Sequence, residues 1–242
     1  MSSCSLKSNT PATRTVSPCL RLAPVLALLL VLPVTLPLSC TPGLPAPAAA
    51  QLEPNPGLVR VLAVAPSIRC ELAYATAANF THRVLYDADV CLLRPRVAER
   101  LARVQTRLAA QGLSLVLLDA YRPLSVQRLM WSLVPDERYV ADPRKGSRHN
   151  RGTAVDVTLL ETSTGRRPVM PTQFDEFSTA AARGAPCGTP EPCRNRDLLQ
   201  AAMEAEGFVG LPTEWWHFDD PDWQSYGLLD VPLGSVAAGS AK

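Results

Sequence analysis

Residues 147–160 have the sequence SRHNRGTAVDVTLL, and its second half predicts a β-strand. Two residues of types that bind metals occur here, Asp156 within the strand and His149 before it. From residue 153 onward the side chains alternate in character, as on a β-strand, and Asp156 falls on the polar face. A carboxylate buried on such a strand needs a hydrogen-bonding partner or a cation. His149 lies seven residues earlier, and a turn at Gly152 can bring its imidazole beside Asp156. This pair is either a structural hydrogen bond or part of a metal site, and the segment alone leaves both interpretations open.

The segments around this strand predict an α+β domain. Residues 58–64, 113–118 and 214–218 have the composition of strands, and residues 96–111, 125–133 and 197–206 have apolar side chains at helical spacing. We expect Arg100 on the exposed face of the first helix and Ser125 as the N-cap of the second. Because helices and strands alternate irregularly, the sequence predicts one small domain with a central, mainly antiparallel sheet flanked by helices.

This domain is expected to span residues 51–232. Within it, residues 161–194 are predicted to form a long loop, and loops of that length are often functional. Residues 233–242 are predicted to be a flexible tail.

A second cluster of chemistry-bearing residues is the sequence EWWH at 214–217. His149, Asp156 and His217 together offer two imidazole nitrogens and one carboxylate oxygen. Catalytic zinc sites use three such protein ligands and leave a fourth position for water, although the same set suits iron(II). Glu214 is three residues before His217, a spacing that puts the two side chains on opposite faces of a strand. Glu214 therefore either lies on the turn that enters the strand and serves the same site, or is a solvated surface acid.

The motif Tyr121-Arg122-Pro123 comes shortly after the apolar run at 113–118. An arginine that follows a strand is normally a surface charge. Here the proline fixes the turn, so a guanidinium group held at the end of a core strand can meet an oxyanion.

Taken together, these motifs resemble those of the D-alanyl-D-alanine dipeptidases, the VanX-type zinc peptidases. The resemblance rests on Tyr-Arg-Pro, then Ser-x-His-x-x-Gly-x-Ala-x-Asp, then Glu-x-x-His, in that order. The sequences EWWHF at 214–218, FDEF at 174–177 and YATAANF at 74–80 are similar to the dipeptidase branch in particular. The resemblance covers most of residues 55–230.

The resemblance implies a small α+β fold shared with zinc DD-carboxypeptidases and the hedgehog signalling domain. It also implies one zinc ion per chain, bound by His149, Asp156 and His217. Glu214 would be the general base and acid, and Arg122 would stabilise the transition state. The reaction it implies is hydrolysis of D-alanyl-D-alanine to two D-alanines in cell-wall peptide turnover.

A dipeptidase must recognise a free amine and a free carboxylate at short separation. Asp175 is the candidate for the ammonium group, with Tyr74 nearby, and Ser147 is a candidate for the carboxylate. Asp175 is equally interpreted as a helix cap.

Composition limits the range of functions. The chain has 242 residues, 47% of them hydrophobic, which is enough for one globular core. Lys and Arg number 24 against 22 Asp and Glu, so no basic excess points to nucleic acid. The only partner expected is a small dipeptide substrate, and no protein partner is predicted.

Residues 1–50 are predicted to be an export leader. They contain three basic side chains and no acidic one, and an apolar run at 22–38 follows Arg21. Cleavage is expected either after Ala50, as for a signal peptide, or before Cys40, as for a lipoprotein. In the second case Cys40 carries lipid that attaches the protein to a membrane, and residues 41–50 form a Pro/Ala-rich tether. Both interpretations place the protein in the periplasm or cell envelope.

Four cysteines lie in the body of the chain, and an even number in an exported domain indicates two disulfides. The pairing of neighbours in sequence is Cys70 with Cys91 and Cys187 with Cys193. Three connectivities are possible, and a four-cysteine zinc site is the rival interpretation, although no CxxC spacing supports it.

Two other functions compete with the dipeptidase. One is a zinc DD-carboxypeptidase or related peptidase that acts on longer wall peptides. The other is a zinc-stabilised binding module without catalysis. Glu214 and Arg122 argue against the second, because a binding module needs neither.

Overall fold

The computed structural model describes residues 57–239. The strands are β1 (Val59–Arg60), β2 (Arg69–Cys70), β3 (Leu92–Leu93), β4 (Leu113–Asp119), β5 (Ala154–Glu161), β6 (Val209–Gly210) and β7 (His217–Asp219). The helices are α1 (Val61–Val64), α2 (Pro95–Ala109), α3 (Leu124–Leu133), α4 (Pro190–Glu204) and α5 (Leu233–Gly239). None of these helices is long and apolar enough to cross a membrane. The predicted leader, with Cys40, lies outside the described residues.

The central sheet has five strands in the order β2-β4-β5-β7-β6. Only the β2–β4 pair is parallel, and the other three pairs are antiparallel. A separate antiparallel pair joins β1 to β3. The prediction of an α+β domain with a mainly antiparallel sheet is therefore confirmed.

The two long central strands carry the polar groups of the site into the core. Both β4 and β5 are buried over most of their length, because their aliphatic side chains pack on both sides of the sheet. In the register of the sheet, Asp156 of β5 faces Asp119 of β4 on one side and His217 of β7 on the other. Directly opposed residues share a face of a sheet, so these three polar side chains form one row across three strands.

Helix α2 packs against β4 through the apolar side chains predicted for its inner face. The expectation that Arg100 faces outward is wrong, since only 9% of the residue is exposed. Its Nη1 donates to the carbonyl of Gly207, 3.1 Å away, and its Nε lies 3.3 Å from Oδ2 of Asp220. This arginine connects α2 to the segment after α4 and to the chain beyond β7.

Near the start of the domain, the predicted strand 58–64 is mostly a helix. Only Val59 and Arg60 pair with β3, and α1 follows directly. The chain leaves the strand and becomes helical at Val61, because this residue is fully buried and its N–H donates to the carbonyl of Cys91. Tertiary burial outweighs the strand preference of Val and Leu here.

Helix α3 begins at Leu124, and Ser125 is not its N-cap. Pro123 occupies that position. The C-terminal segment satisfies the free N–H groups of the first turn, because Leu124 donates to the carbonyl of Leu229 and Ser125 donates to Oδ1 of Asp230.

The last two helices differ from prediction. Helix α4 begins at Pro190, seven residues earlier than expected, because proline suits a first helical turn. The predicted tail contains α5, with Leu233 fully buried. The Asp87 carboxylate accepts the N–H groups of Leu233 and Gly234, so this helix is tied to the domain.

Both predicted disulfides are present in the structure. Cys70 pairs with Cys91 and Cys187 pairs with Cys193. The first joins β2 to the residue before β3, and the second joins the loop before α4 to its first turn. The interpretation of these four cysteines as a zinc site is therefore wrong.

Candidate metal and catalytic site

Three side chains from distant parts of the sequence converge on one point. His149 lies on a 3₁₀ turn, His149–Arg151, that ends at Gly152 with φ +69°. This turn returns the chain so that Nε2 of His149 is 3.4 Å from Oδ1 of Asp156. Nδ1 of His217 is 2.9 Å from the same oxygen and 3.1 Å from Nε2 of His149. The three residues are buried and could hold a metal ion together.

The spacing of these donor atoms fits a small cation. Metal bonds of 2.0–2.1 Å at tetrahedral angles place ligand atoms about 3.3–3.4 Å apart, close to the separations found here. The far nitrogen of each imidazole is also fixed. Nδ1 of His149 is 2.7 Å from the carbonyl of Ala120, and Nε2 of His217 is 2.9 Å from Oδ1 of Asp219. If these far nitrogens carry the protons, the facing nitrogens are left free to accept a metal.

The electrostatics favour positive charge at this point. Burial lowers the pKa of His217, but its hydrogen bonds with Asp156 and Asp219 outweigh burial and raise the pKa to about 10. Burial raises the pKa of Asp156, yet the two histidines lower it well below its usual range. A metal cation can take the place of the proton that the histidines would otherwise share with these acids.

Glu214 lies on the turn before β7, as the common-site interpretation requires. Strand β7 begins at His217, three residues later than predicted, so Glu214 is outside the strand. It lines the same cavity as the three candidate ligands. Burial raises the pKa of its carboxyl group. This environment suits a group that takes up a proton and gives it back.

Arg122 is held at the end of β4 by residues that sequence reasoning missed. Its Nε and Nη2 donate to Oδ2 of Asp119, at 3.1 and 2.6 Å, and its Nη1 donates to Gln127 at 2.8 Å. Asp119 is fully buried, and its Oδ1 accepts from Tyr86 and from the N–H of Ala120. The guanidinium group is therefore fixed, and one N–H on each of Nη1 and Nη2 is left over. Asp119 stands three residues before Arg122, at the end of an apolar run, and this spacing was the available sequence signal for an ion pair between them.

Half-buried Asp175 and buried Tyr74 form a pair in the wall of the cavity. The Tyr74 hydroxyl lies 3.1 and 2.9 Å from the two carboxylate oxygens. Burial, and then the charge of Asp156, raise the pKa of Asp175 well above its usual range. The alternative role as a helix cap is wrong, because the next helical turn, Thr179–Ala181, follows Ser178.

Ser147 also lines this cavity, which has a volume of about 500 Å³. Its Oγ accepts the N–H of His149 at 3.2 Å, so the hydroxyl hydrogen remains available to a ligand. Trp216 contributes an aromatic wall, while Trp215 is buried and donates to Oγ1 of Thr172. All eight predicted site residues thus line one cavity, and they comprise Tyr74, Arg122, Ser147, His149, Asp156, Asp175, Glu214 and His217.

Comparison with known proteins identifies the family. The model of the Peptidase_M15 family, described as D-Ala-D-Ala dipeptidase, matches residues 55–231. This chain belongs to the D-Ala-D-Ala dipeptidase family. A D-alanyl-D-alanine dipeptidase of Escherichia coli (strain K12) is 41% identical over 172 residues, which cover 71% of this chain and 89% of that protein. One from Enterococcus faecium is 31% identical over 192 residues, covering 69% and 93%.

A solved structure of VanYB with D-alanyl-D-alanine is similar at a TM-score of 0.38 and 14% identity, covering 65% of this chain and 88% of that one. Membership of the D-Ala-D-Ala dipeptidase family confirms the resemblance drawn from the motifs and makes this chain a member of a peptidase family.

Asp219 is a further residue of the site that the sequence analysis did not predict. It stands two positions after His217 and therefore on the same face of β7. That spacing was the available signal for a carboxylate that orients the imidazole.

Proposed function

We propose that this chain is a zinc-dependent dipeptidase that hydrolyses D-alanyl-D-alanine to two molecules of D-alanine. One observation carries the proposal: a single cavity contains the His149–Asp156–His217 group, Glu214 and the hydrogen-bonded Tyr74–Asp175 pair. The first group suits zinc, and the last suits a substrate with a free ammonium group. Family membership and the named dipeptidases among its relatives support the same reaction.

The proposed chemistry divides among the residues as follows. His149, Asp156 and His217 would hold zinc, which when bound acidifies a water molecule and polarises a carbonyl group. Glu214 takes a proton from the attacking water and then gives it to the departing amine of the second D-alanine. One C–O bond forms, one C–N bond breaks, and Glu214 ends in its starting protonation state.

Arg122 has the position and charge to stabilise the oxyanion. Its bonds to Asp119 and Gln127 fix the guanidinium group before substrate arrives, so no reorganisation is needed as charge develops on the carbonyl oxygen. A preorganised donor of this kind contributes roughly 3–4 kcal/mol to transition-state stabilisation.

Substrate length is set by the group that meets the amine. Asp175 is half-buried, and its charge is poorly compensated because Tyr74 is its only side-chain hydrogen-bond partner among the described residues. A free ammonium group compensates that charge, whereas an acylated amine of a longer wall peptide does not. This supports a dipeptide over the longer substrates of a carboxypeptidase.

The deciding experiment measures D-alanine release from D-Ala-D-Ala by the purified protein, with zinc content determined on the same sample. We expect one zinc per chain and no release from N-acetyl-D-Ala-D-Ala. Glu214→Gln should lower kcat by about 10²–10⁴ while zinc is retained. Glu204→Gln, at an exposed acid on α4, is the matched control. Zinc-loaded protein that leaves D-Ala-D-Ala intact would contradict the proposal.

The proposed location is the cell envelope, after export. Two disulfides in the body of the chain support an oxidising compartment, and the basic and apolar leader supports export. Fractionation of cells that express the full chain tests this. If Cys40 carries lipid, Cys40→Ala should move the protein from the membrane fraction to the soluble periplasm. Recovery of wild-type protein in the cytoplasm would contradict export.

A further inference from the structure

Two arginines that no role above uses stand on either side of His149. The guanidinium carbon of Arg148 lies 4.8 Å from the ring centre of Trp223, and that of Arg151 lies 5.4 Å from the same centre. All three side chains line the catalytic cavity. Stacking on one tryptophan restricts both guanidinium groups and keeps them next to each other.

The positive charge of this pair is not balanced locally. Nε of Arg148 is 3.3 Å from Oδ2 of Asp219 but makes no hydrogen bond among the described residues. The other oxygen of Asp219 is already engaged with His217. Arg151 donates to the carbonyl of Tyr226, and within the described part of the chain no carboxylate lies within ion-pair distance of it. The only carboxylate near this pair is therefore Asp219, which faces Arg148 and also serves the His217 imidazole, while Arg151 has no carboxylate within ion-pair distance among the described residues.

The other cations of the same cavity differ in this respect. Arg122, Arg138 and Lys145 each have a carboxylate of their own, from Asp119, Asp136 and Glu137. The cavity therefore has one region where positive charge exceeds negative charge, at Arg148 and Arg151. A half-buried cation pair of this kind favours an anion with two oxygens, because guanidinium groups bind carboxylates through paired N–H···O bonds.

We infer that Arg148 and Arg151 bind the free carboxylate at the C-terminal end of the dipeptide. The inference rests on the proposed function and assigns the substrate's negative end, as Asp175 serves its positive end. Ser147, next to Arg148 in the chain, adds a hydroxyl donor to the same subsite. The second D-alanine leaves with its carboxylate still held here, so its amine stays in place while it accepts the proton from Glu214.

The test compares D-Ala-D-Ala with D-alanyl-D-alaninamide, which has the same scissile bond and no carboxylate. Wild-type protein should cleave the acid with a higher kcat/KM than the amide. Arg151→Gln and Arg148→Gln should each reduce that preference by about 10-fold or more, through KM rather than kcat, because a charge-assisted hydrogen bond is lost. Arg138→Gln is the matched control, since this arginine lines the cavity but is paired with Asp136.

A purely structural role gives a different result. If the arginines only steady Asp219 and His217, the variants lose activity on acid and amide equally, often with zinc, and the inference fails. If Arg148→Gln folds poorly, Arg151→Gln still tests the inference, because Arg151 makes no ion pair with Asp219 and its loss leaves that residue undisturbed.

Calorimetric binding to the Glu214→Gln protein separates this inference from the proposed function. Binding of D-Ala-D-Ala that weakens in the arginine variants, with amide binding unchanged, supports the carboxylate subsite even if wild-type protein proves unable to cleave the peptide. If the Glu214→Gln protein, with both arginines unchanged, bound D-Ala-D-Ala and D-alanyl-D-alaninamide equally well, the inference would be overturned.

Discussion

Asp175 has a backbone conformation and surroundings that lower the stability of the fold. Its backbone has φ +59°, in the left-handed region that residues other than glycine rarely adopt. Burial and the charge of Asp156 raise its pKa, and Tyr74 alone donates a side-chain hydrogen bond to it within the described part of the chain. Strain and uncompensated charge at one residue are typical of functional positions, where stability is lower than an alternative side chain would allow.

Asp175→Asn should therefore raise stability and impair substrate binding. The folded-state pKa of Asp175 lies above the unfolded value, so ionisation destabilises the fold as pH rises from about 4 through the raised pKa. The gain in Tm should be full at high pH and disappear below about pH 4, where both side chains are neutral. Thermal melts at several pH values measure the gain.

The same variant should show KM raised roughly 10- to 100-fold, because the ammonium group loses a charged acceptor. Steady-state kinetics measure this change. A variant with unchanged KM would remove Asp175 from substrate recognition.

The residues that stand in motifs were predicted to share one site, and the structure brings them together in one cavity. His149, Asp156, His217, Glu214 and Arg122 each belong to a short pattern with fixed spacing. Asp119, Asp219, Arg148 and Arg151 were missed because a side chain's role in the site depends on which neighbours the fold supplies. The three-residue spacing of Asp119 and Arg122 is only a weak signal for their ion pair, and the shared stacking on Trp223 follows from no local pattern.

At the level of elements, the turn between β6 and β7 positions Glu214. Arg183 holds this turn, because its Nε donates to the carbonyl of Leu211 at 2.9 Å and its Nη2 donates to the carbonyl of His217. Its guanidinium carbon also lies 4.0 Å from the ring centre of Phe218. One half-buried side chain thus joins both ends of the turn that carries the proposed base.

Arg183→Met should lower kcat by about 10-fold or more while KM and zinc content change little. The methionine keeps apolar contact with Phe218 but removes both hydrogen bonds, so Glu214 loses its fixed position. Arg166→Met, at an exposed arginine, serves as the control. A fall in zinc content that matches the fall in kcat would mean that Arg183 acts on His217 instead.

Long periodic elements were predicted well, and short ones were not. Strands β4 and β5 and helix α2 have enough residues to show a period, and the predicted positions differ by only one or two residues from those observed. Strands β2, β3 and β6 have two residues each, so no alternation can be seen in them. Residues 58–64 were wrongly predicted as a strand because tertiary packing decides their conformation. The start of α4 was predicted seven residues too late because it is set by the position of Pro190, and hydrophobic spacing reports neither cause.

For the whole molecule, metal removal should lower stability. The proposed ligands lie on the 3₁₀ turn, β5 and β7, so bound zinc joins segments far apart in sequence. Free zinc at 100 times its dissociation constant stabilises the fold by about 2.7 kcal/mol, or roughly 5–10 °C in Tm. Melting curves with and without chelator measure this. His82→Ala, at an exposed histidine, should keep the shift, and His217→Ala should abolish it.

The two disulfides should contribute unequally. They close loops with sequence separations of 21 and 6, and loop entropy in the unfolded chain grows with loop length. Replacing Cys70 and Cys91 by serine should therefore cost about 1 kcal/mol more than replacing Cys187 and Cys193. Urea unfolding of the two double variants gives the comparison. An equal loss in both would show that native contacts, rather than chain entropy, determine their contributions.

The row formed by Asp119, Asp156 and His217 depends on strand register, and β7 has only three residues to specify it. Displacing β7 by one position brings Phe218 or Trp216 opposite Asp156 and turns His217 to the other face. A molecule that folds with this error has no cation site, so it is inert rather than altered in specificity. Activity per mole of protein is therefore proportional to the fraction of molecules with the correct β7 register. It detects register errors in this sheet that a measurement of secondary-structure content would not reveal.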